Sequence, residues 1–389
     1  MSRVLVAERS TRFTESVIRE MTRLCTLHHG NRGINLAQGF PDFSAPPVIK
    51  EAACAAIQAD VNQYAITWGS RGFREAVAAK TKRFYGVELD PEREITVCCG
   101  ATEAMLSSLL AIINPGDEVI VLTPYYENYW PDTVLAGAVP RFVTLREPTW
   151  SLDPEELRAA FSPRTKAIVI NSPNNPSGKV FSRGEMELIA SLCQEYDCVA
   201  ITDEIYEHLV YSGEHVSMLS VPGMRHRTIT ISSLSKSYSV TGWRVGYAMA
   251  TPSLTNAIRK VHDFVTVGAP APLQAAGQVA LNLPHEYYVQ LLNDYLQRRD
   301  FFVGHLQRLG FGCRPPDGAY YVMVDVRDVG FDDGTAFAQY LVKDVGVAVV
   351  PGSSFYADPE QGRHKVRFSF CKRMETLTRA VELLERLRS

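Results

Sequence analysis

A lysine surrounded by hydroxyl side chains is the first feature of the sequence with chemical potential. Lys236 lies in the run SSLSKSY, and Arg244 follows in TGWRVGY. A lysine in such surroundings can attack a carbonyl carbon, while an arginine nearby can bind a phosphate-sized anion. The SxSK pattern alone is more typical of a solvated turn. The TGWRVGY continuation favours a reactive lysine.

A carboxylate at the end of an apolar run is the second feature. Asp203 closes the run Ile201–Asp203, and Tyr206 follows three residues later. A buried carboxylate is costly without a cationic partner, and a protonated pyridine nitrogen is one such partner. From this segment alone, a carboxylate that caps the next helix is an equally good interpretation.

Two turns complete the set of candidate binding segments. The stretch 171–178 (NSPNNPSG) is dense in turn residues, and 98–104 (CCGATEA) runs from an apolar strand through Gly100 towards a helix start. Amides of the first turn could orient a ligand, and backbone N–H groups at a helix start favour a phosphate. A plain loop and close helix–strand packing explain the two segments equally well.

Seven short apolar runs, rich in β-branched residues, are predicted to form the strands that position these segments. They are Ile95–Cys99, Glu118–Thr123, Arg141–Leu145, Ala167–Asn171, Cys198–Asp203, Thr228–Ser232 and Val245–Ala250. Runs that are apolar on both sides suit a mainly parallel sheet covered by helices on both faces. Helical patterns at Thr102–Ile113 and Arg183–Tyr196 lie between them, so the pattern predicts an α/β fold.

The pattern changes at about residue 280. A long amphipathic helix is predicted over His285–Leu309, followed by an alternating strand over Tyr320–Val326. These elements indicate a second, smaller α+β unit. We therefore predict a large domain over 45–280, and a small domain that combines 1–44 with 281–389.

Composition and charge exclude several classes of function. The formal net charge of -3 offers no broad positive field for nucleic acid or anionic membranes, and no apolar segment approaches the length of a membrane span. The eight cysteines are scattered, without a CxxC pair or zinc-ligand spacing. We expect no metal and no membrane or nucleic-acid partner, and we expect reduced thiols in a cytoplasmic protein.

Taken in order, these motifs resemble the class I/II, fold-type I pyridoxal-phosphate-dependent aminotransferases over nearly the whole chain. Three further segments look most like the branch that contains methionine, glutamine and kynurenine aminotransferases: NLAQGFPDF (35–43), NQY (62–64) and PYY (124–126). The resemblance implies a large domain with a seven-stranded, mainly parallel sheet sandwiched by helices, and a smaller α+β domain.

The resemblance also implies the cofactor site. Lys236 would form the Schiff base with pyridoxal 5'-phosphate and shuttle a proton at the substrate Cα. Asp203 would pair with the pyridine nitrogen, Tyr206 and Asn175 would contact the ring hydroxyl oxygen, and Tyr126 would stack on the ring. The implied phosphate ligands are Ser233, Arg244, the helix start at Gly100, the amides of Ala101 and Thr102, and Tyr64 from the partner subunit of a homodimer.

For the substrate, the resemblance implies that Arg367 binds the α-carboxylate as a bidentate fork, with Gly39 and Asn175 close by. It also implies cis bonds before Pro124 and Pro176. Segment 266–270 carries no basic residue where aspartate-specific relatives have an arginine, and Val267 aligns where kynurenine-preferring relatives present an aromatic residue.

We therefore expect an amino acid with a neutral side chain, such as methionine or glutamine, as donor and a 2-oxo acid as acceptor. Three alternatives stay open. They are β-elimination from cysteine conjugates, an aspartate-type or N-succinyldiaminopimelate-type aminotransferase, and, remotely, a cofactor-sensing transcription regulator. Against the last, the family match begins almost at residue 1, which leaves no room for a DNA-binding module.

Overall fold

Twelve α-helices and twelve β-strands form the regular structure of residues 5–388, the part of the chain that the computed structural model describes. The helices are α1 (Val17–His29), α2 (Pro47–Gln58), α3 (Arg71–Tyr85), α4 (Gly100–Ile112), α5 (Tyr129–Leu135), α6 (Pro154–Ala160), α7 (Arg183–Glu195), α8 (Pro252–Val265), α9 (Ala271–Leu281), α10 (His285–Arg308), α11 (Gly334–Tyr340) and α12 (Met374–Glu385). The strands are β1 (Ile34–Asn35), β2 (Ile95–Cys98), β3 (Glu118–Thr123), β4 (Val139–Thr144), β5 (Thr165–Asn171), β6 (Val199–Asp203), β7 (Thr228–Ser233), β8 (Gly246–Met249), β9 (Tyr321–Asp325), β10 (Val347–Ala348), β11 (Val350–Pro351) and β12 (Lys365–Ser369).

The large sheet contains all seven predicted strands, which confirms the α/β fold. Its order is β2-β8-β7-β6-β5-β3-β4. Every neighbouring pair is parallel except those of β8, which runs antiparallel to both β2 and β7. The carboxyl ends of β5, β6 and β7 therefore lie side by side, which brings the segments after Asn171, Asp203 and Ser233 to one edge of the sheet.

Local capping explains where two of the predicted helices begin. Ser182 caps α7, and it forms a reciprocal capping box with Glu185. The start of α4 is earlier than predicted, at Gly100 rather than Thr102. The reason is that Glu103 accepts the N–H of Cys99 at 2.8 Å, which closes the first turn one residue ahead of Gly100.

The smaller unit is built on two further sheets, of order β11-β12-β9 and β1-β10. Side chains of α1, α10 and α12 share one apolar core with these strands. The division at residues 45 and 280 remains our proposal for the domain boundaries. None of the helices in residues 5–388 combines the length and the apolar character that crossing a bilayer requires.

Four X–Pro bonds are cis. Two of them, before Pro124 and Pro176, are the bonds that the resemblance led us to expect. The other two precede Pro148 and Pro173, and no sequence signal indicated them.

Candidate active site

A cavity of about 450 Å³ lies at the carboxyl edge of the large sheet. Most of the predicted site residues line it: Gly39, Ala101, Thr102, Tyr126, Asn175, Asp203, Tyr206, Ser233, Lys236, Arg244 and Arg367. Gly100 lies directly behind the wall, against the guanidinium of Arg244. Tyr64 is 87% exposed and lies outside the lining. The structure thus brings together residues from seven separate segments of the chain.

Lys236 reaches into this cavity from the segment after β7. Its Nζ donates a hydrogen bond to the carbonyl oxygen of Gly39 at 2.9 Å. The rings of Tyr206 and Tyr320 flank Nζ, with centroids 5.9 and 5.8 Å away. Burial lowers the pKa of Lys236 to about 8, and it outweighs the opposing effects of Cys371 and Asp203. Much of the amine is therefore neutral under mildly alkaline conditions.

This lowered pKa predicts selective chemical labelling of Lys236 in cofactor-free protein. With a pKa of about 8, about 10% of the amine is neutral at pH 7, against less than about 0.1% for an ordinary lysine. Labelling by an amine-directed reagent, mapped by mass spectrometry, should accelerate with pH to a plateau above about pH 8. The exposed Lys82 is the matched control. A hydrogen bond to Glu88 raises its pKa, so its labelling should keep accelerating beyond pH 9. Equal rates for both lysines would contradict the prediction.

Asp203 is buried at the end of β6, with a tyrosine as its side-chain partner. Its Oδ2 accepts the hydroxyl proton of Tyr129 at 2.7 Å, and Asn171 donates to its carbonyl oxygen at 2.9 Å. Burial raises the pKa of Asp203 to about 6, although the bond from Tyr129 opposes the rise. No ion pair among residues 5–388 includes Asp203. The cation that a buried carboxylate requires is thus left for a ligand to supply.

Tyr129 is a site residue that the sequence analysis missed. It follows Tyr126 by three residues and is the first residue of α5, and its N–H donates to the carbonyl oxygen of Tyr126 at 3.0 Å. Their centroids are 5.7 Å apart in an edge-to-face arrangement. The three-residue spacing between Tyr126 and Tyr129 was the sequence signal that could have identified Tyr129.

The start of α4 and two side chains form a pocket suited to phosphate. Ala101 and Thr102 lie in the first turn of α4 and line the cavity, and first-turn N–H groups have no partner within their own helix. Ser233 ends β7 beside them. Arg244 donates through Nη1 to Thr241 at 2.9 Å and keeps its other donors for a ligand. Gly100 has a φ of 80°, a conformation that residues with a Cβ rarely adopt, which explains the glycine there.

Arg367 presents a buried positive charge on the opposite wall. It lies on β12 with no solvent exposure, and it donates to Asn175 Oδ1 at 2.7 Å and to the carbonyl oxygen of Ala37. Its Nε has no partner, and none of the ion pairs in the described residues includes it. Both of its acceptors are neutral, so this cavity can bind an anion such as a carboxylate.

A second missed residue, Tyr321, lies between the lysine and the arginine. Its hydroxyl is 3.0 Å from that of Tyr206, and its ring centroid is 4.3 Å from the Arg367 guanidinium carbon. An added Cβ at Gly39 would collide with this hydroxyl. The close approach of backbone to ring explains the glycine that the sequence analysis placed beside the substrate.

The rim of the cavity comes from the N-terminal helix, which the sequence analysis did not place there. Glu127 accepts the Ser16 hydroxyl at 2.6 Å and the N–H of Ile18 at 3.1 Å, so it anchors the start of α1. Burial raises the pKa of Glu127. Arg19, one turn into α1, also lines the cavity. Only a contact between segments more than 100 residues apart reveals this rim, because neither side carries a recognisable motif.

The chain is similar to known aminotransferases over almost its full length. Residues 31–384 match the family model for class I and II aminotransferases. A methionine aminotransferase of Escherichia coli is 37% identical, over 94% of this chain and 95% of its own. The human kynurenine–oxoglutarate transaminase 1 is 37% identical, over 91% and 92%.

A solved structure shows the same similarity. The N-succinyldiaminopimelate aminotransferase of Mycobacterium tuberculosis is 39% identical and superposes with a TM-score of 0.95, over 98% of this chain and all of the other. Sequence and fold agree with the geometry of the cavity. The chain belongs to the class I and II aminotransferases, and it is a pyridoxal-phosphate-dependent enzyme that transfers an amino group between an amino acid and a 2-oxo acid.

Proposed function

We propose that the cavity around Lys236 is the active site, and that its residues act in the roles that the family resemblance assigns. The observation that carries this proposal is the pairing of two unusual cations across one cavity. Lys236 has a lowered pKa, and Arg367 is fully buried without a carboxylate partner. A nucleophilic amine and an anion clamp on facing walls are what an α-amino acid requires.

The residues present fit pyridoxal phosphate. Asp203 has no cationic partner of its own, which suits a protonated pyridine nitrogen. The first-turn amides of α4, together with Ser233 and Arg244, suit the phosphate. Tyr206 and Asn175 would bind the ring hydroxyl oxygen, and Tyr126 would stack on the ring. When bound, the cofactor supplies an electron-withdrawing ring that stabilises negative charge at the substrate Cα.

Lys236 is proposed as both the attachment point and the base. As a free amine, the Nζ lies in the cavity with a pKa of about 8, which is close enough to neutrality for efficient proton transfer. The rings of Tyr206 and Tyr320 flank Nζ and limit its exposure to water. Lys236 would then remove the proton from the substrate Cα and return it at the neighbouring carbon.

Arg367 is proposed to bind the substrate α-carboxylate. Asn175 Oδ1 and the Ala37 carbonyl oxygen fix the guanidinium plane, so the orientation of the fork is set before substrate arrives. The buried Nε also has no partner among the described residues, so the guanidinium retains an unused donor.

We further propose that the amino donor carries a neutral side chain, such as methionine or glutamine. The charged cavity residues without an assigned role are Arg19, Glu127 and Asp132. Burial raises the pKa of Asp132 to about 7 and also raises the pKa of Glu127. One arginine beside two carboxyl groups provides no clear positive field for a second substrate carboxylate.

The test of this proposal is the first half-reaction of the purified holoenzyme, followed by absorbance as single amino acids are added without an acceptor. We expect methionine and glutamine to convert the cofactor to its amine form at least about tenfold faster than aspartate, because a distal carboxylate would lose its hydration without a dedicated arginine to bind it. A faster response to aspartate would contradict the proposal. A cysteine S-conjugate added in the same assay would report β-elimination through the release of ammonia and a 2-oxo acid.

A second candidate substrate class follows from a neighbouring cavity of about 820 Å³. This cavity shares Ser16, Arg19, Glu127, Asn128 and Asp132 with the active-site cavity, so the two adjoin at the rim. A long donor whose side chain ends in a carboxylate could extend along α1 and place that carboxylate near Arg19. The relative from M. tuberculosis is named for such a substrate, N-succinyldiaminopimelate. This compound therefore belongs in the panel of donors, and preference for it would favour the second candidate.

We also propose a homodimer in which Tyr64 reaches the phosphate of the partner subunit. Several large apolar side chains near Tyr64 and at the end of α8 are exposed: Ile57, Val61, Ile66, Phe264, Val265 and Val267. Phe264 is 92% exposed. Side chains of this kind are costly in water, and a second copy of the chain would cover them.

Mixed dimers test the proposed position of Tyr64. Tyr64→Ala and Lys236→Ala subunits are each expected to be nearly inactive. A mixed dimer would rebuild one complete site, with the lysine of one subunit and the tyrosine of the other. Random exchange of subunits should then restore about a quarter of wild-type activity, because half of the dimers are mixed and each has one good site. No recovery after confirmed exchange would show that Tyr64 does not act across the interface.

We place the enzyme in the cytoplasm as a proposal. All eight cysteines are free, including the exposed Cys54, which suits a reducing compartment. Fractionation of cells that express the tagged protein tests this placement.

A further inference from the structure

A buried charged pair lies behind the first turn of α4, outside the active-site cavity. Glu103 is 8% exposed, and His262, in the last turn of α8, is fully buried. The Nδ1 of His262 is 3.0 and 3.2 Å from the two carboxylate oxygens of Glu103. Its Nε2 is 2.7 Å from the carbonyl oxygen of Thr67.

The hydrogen-bond partners determine the protonation of this pair. A carbonyl oxygen only accepts, so Nε2 carries a proton. Glu103 also accepts from the Cys99 N–H at 2.8 Å and the Ser107 hydroxyl at 2.6 Å, so donors surround its carboxylate and Nδ1 supplies another. Burial acts to lower the pKa of His262, but Glu103 and Thr67 raise it overall. The pair is an imidazolium and a carboxylate.

The same protons argue against a metal ion at this position. Cys98, Glu103 and His262 present ligand atoms within 4.8 Å of one another. Both ring nitrogens of His262 are occupied as donors, however, and burial raises the pKa of the Cys98 thiol well above its usual value. A metal would require neutral imidazole and thiolate.

On one side, the pair controls the turn that faces the cofactor phosphate. Glu103 binds the N–H of Cys99, the residue before Gly100. Gly100 has a φ of 80°, which strains any residue with a Cβ. By closing this turn, Glu103 directs the amides of Ala101 and Thr102 towards the cavity.

On the other side, the pair holds the segment that carries Tyr64. Thr67 lies three residues after Tyr64 and accepts the Nε2 proton of His262. The next residue, Trp68, accepts the N–H of Val97 at 3.0 Å, and its ring is 4.9 Å from the guanidinium carbon of Arg259. The segment is therefore fixed at its base, while Tyr64 itself projects into solvent.

We propose that Glu103 and His262 are positioning residues that serve two phosphate sites of the dimer at once. The pair fixes the phosphate-binding turn of its own subunit and, through Thr67, the Tyr64 segment that reaches the partner subunit's phosphate site. This inference rests on the proposed placement of the phosphate and of Tyr64. It assigns the pair a role in cofactor affinity, separate from substrate binding.

The experiment compares Glu103→Gln, His262→Gln and the double variant as holoenzymes. Each single variant should weaken the dissociation constant for pyridoxal phosphate about tenfold, with a similar loss for inorganic phosphate as a competitor of reconstitution. At saturating cofactor, the KM for the amino donor should change less than about twofold, because Arg367 is untouched. The double variant should be no worse than the singles, because it leaves no unpaired buried charge.

A double-mutant cycle between Tyr64 and His262 tests whether the pair acts on Tyr64 through Thr67. Tyr64→Phe should weaken cofactor affinity in the wild type but have a smaller effect in the His262→Gln background. If a single variant fails to fold, the double Gln variant can still be measured. It removes both charges of the pair and therefore leaves no unpaired buried charge. A loss of thermal stability with unchanged cofactor and phosphate affinity in the double variant would overturn the inference.

Failure of the underlying proposal would give a different pattern. If Arg244→Gln and Tyr64→Phe leave cofactor affinity unchanged, the phosphate is not where we place it. If those two variants weaken affinity while the Glu103 and His262 variants do not, only the positioning role is wrong.

Discussion

Replacing Lys236 with alanine is expected to lower the rate constant of the amino-acid half-reaction by about 10⁴-fold, the upper range for loss of a general base. The protein should still fold and bind the cofactor non-covalently, because Asp203, Arg244 and the α4 amides remain. The rate should fall because, among the described residues, no other lysine lines the cavity. The measurement is single-turnover absorbance with methionine or glutamine, alongside a cofactor-binding titration.

A matched control is Lys372, a second buried lysine with a lowered pKa caused by burial. Its Nζ donates to the carbonyl oxygen of Phe40 at 2.7 Å, close to Gly39, but it does not line the cavity. Lys372→Met should reduce stability and leave the half-reaction within about tenfold of wild type. Small primary amines added to Lys236→Ala should restore part of the rate. Comparable losses in both variants, with no recovery by amines, would refute the role of Lys236.

Replacing Arg367 with lysine is expected to lower kcat/KM for amino donor and 2-oxo acceptor alike by about 10²- to 10³-fold, as for loss of a buried charge-paired hydrogen bond. Lysine keeps the charge, but a single ammonium cannot bind Asn175 Oδ1, the Ala37 carbonyl oxygen and both carboxylate oxygens together. Steady-state kinetics with both substrates measure the loss. A change confined to one substrate would contradict a shared carboxylate clamp.

The decarboxylated analogue of the best donor separates carboxylate binding from a general defect. Wild type should prefer the amino acid strongly over this amine, and Arg367→Lys should reduce that preference in parallel with kcat/KM. The matched control is Arg298→Lys. Arg298 also bonds to backbone carbonyl oxygens and stacks on Phe43 at 4.7 Å, but it lies outside the cavity. Its variant should keep the wild-type preference.

Local sequence patterns predicted the strands and some of the site residues, but not all of them. The seven strands were predictable because each is an apolar run bounded by turn residues, and the polar groups after β5, β6 and β7 followed from parallel geometry. Lys236, Asp203 and Arg244 could be recognised from adjacent motifs. Tyr321 and Glu127 could not, because their importance comes from contacts with Tyr206 and the start of α1.

The sequence by itself determined the α/β class, the family, the cofactor and most of the residues around it, because these depend on residue type and on spacing along the chain. Only the tertiary structure decided the order of the strands, the rim formed by α1, the uncompensated burial of Arg367 and the Glu103–His262–Thr67 connection. Each of these joins segments that lie far apart in the chain. Electrostatic and hydrogen-bonding partners across such separations are set by packing, and local pattern does not encode them.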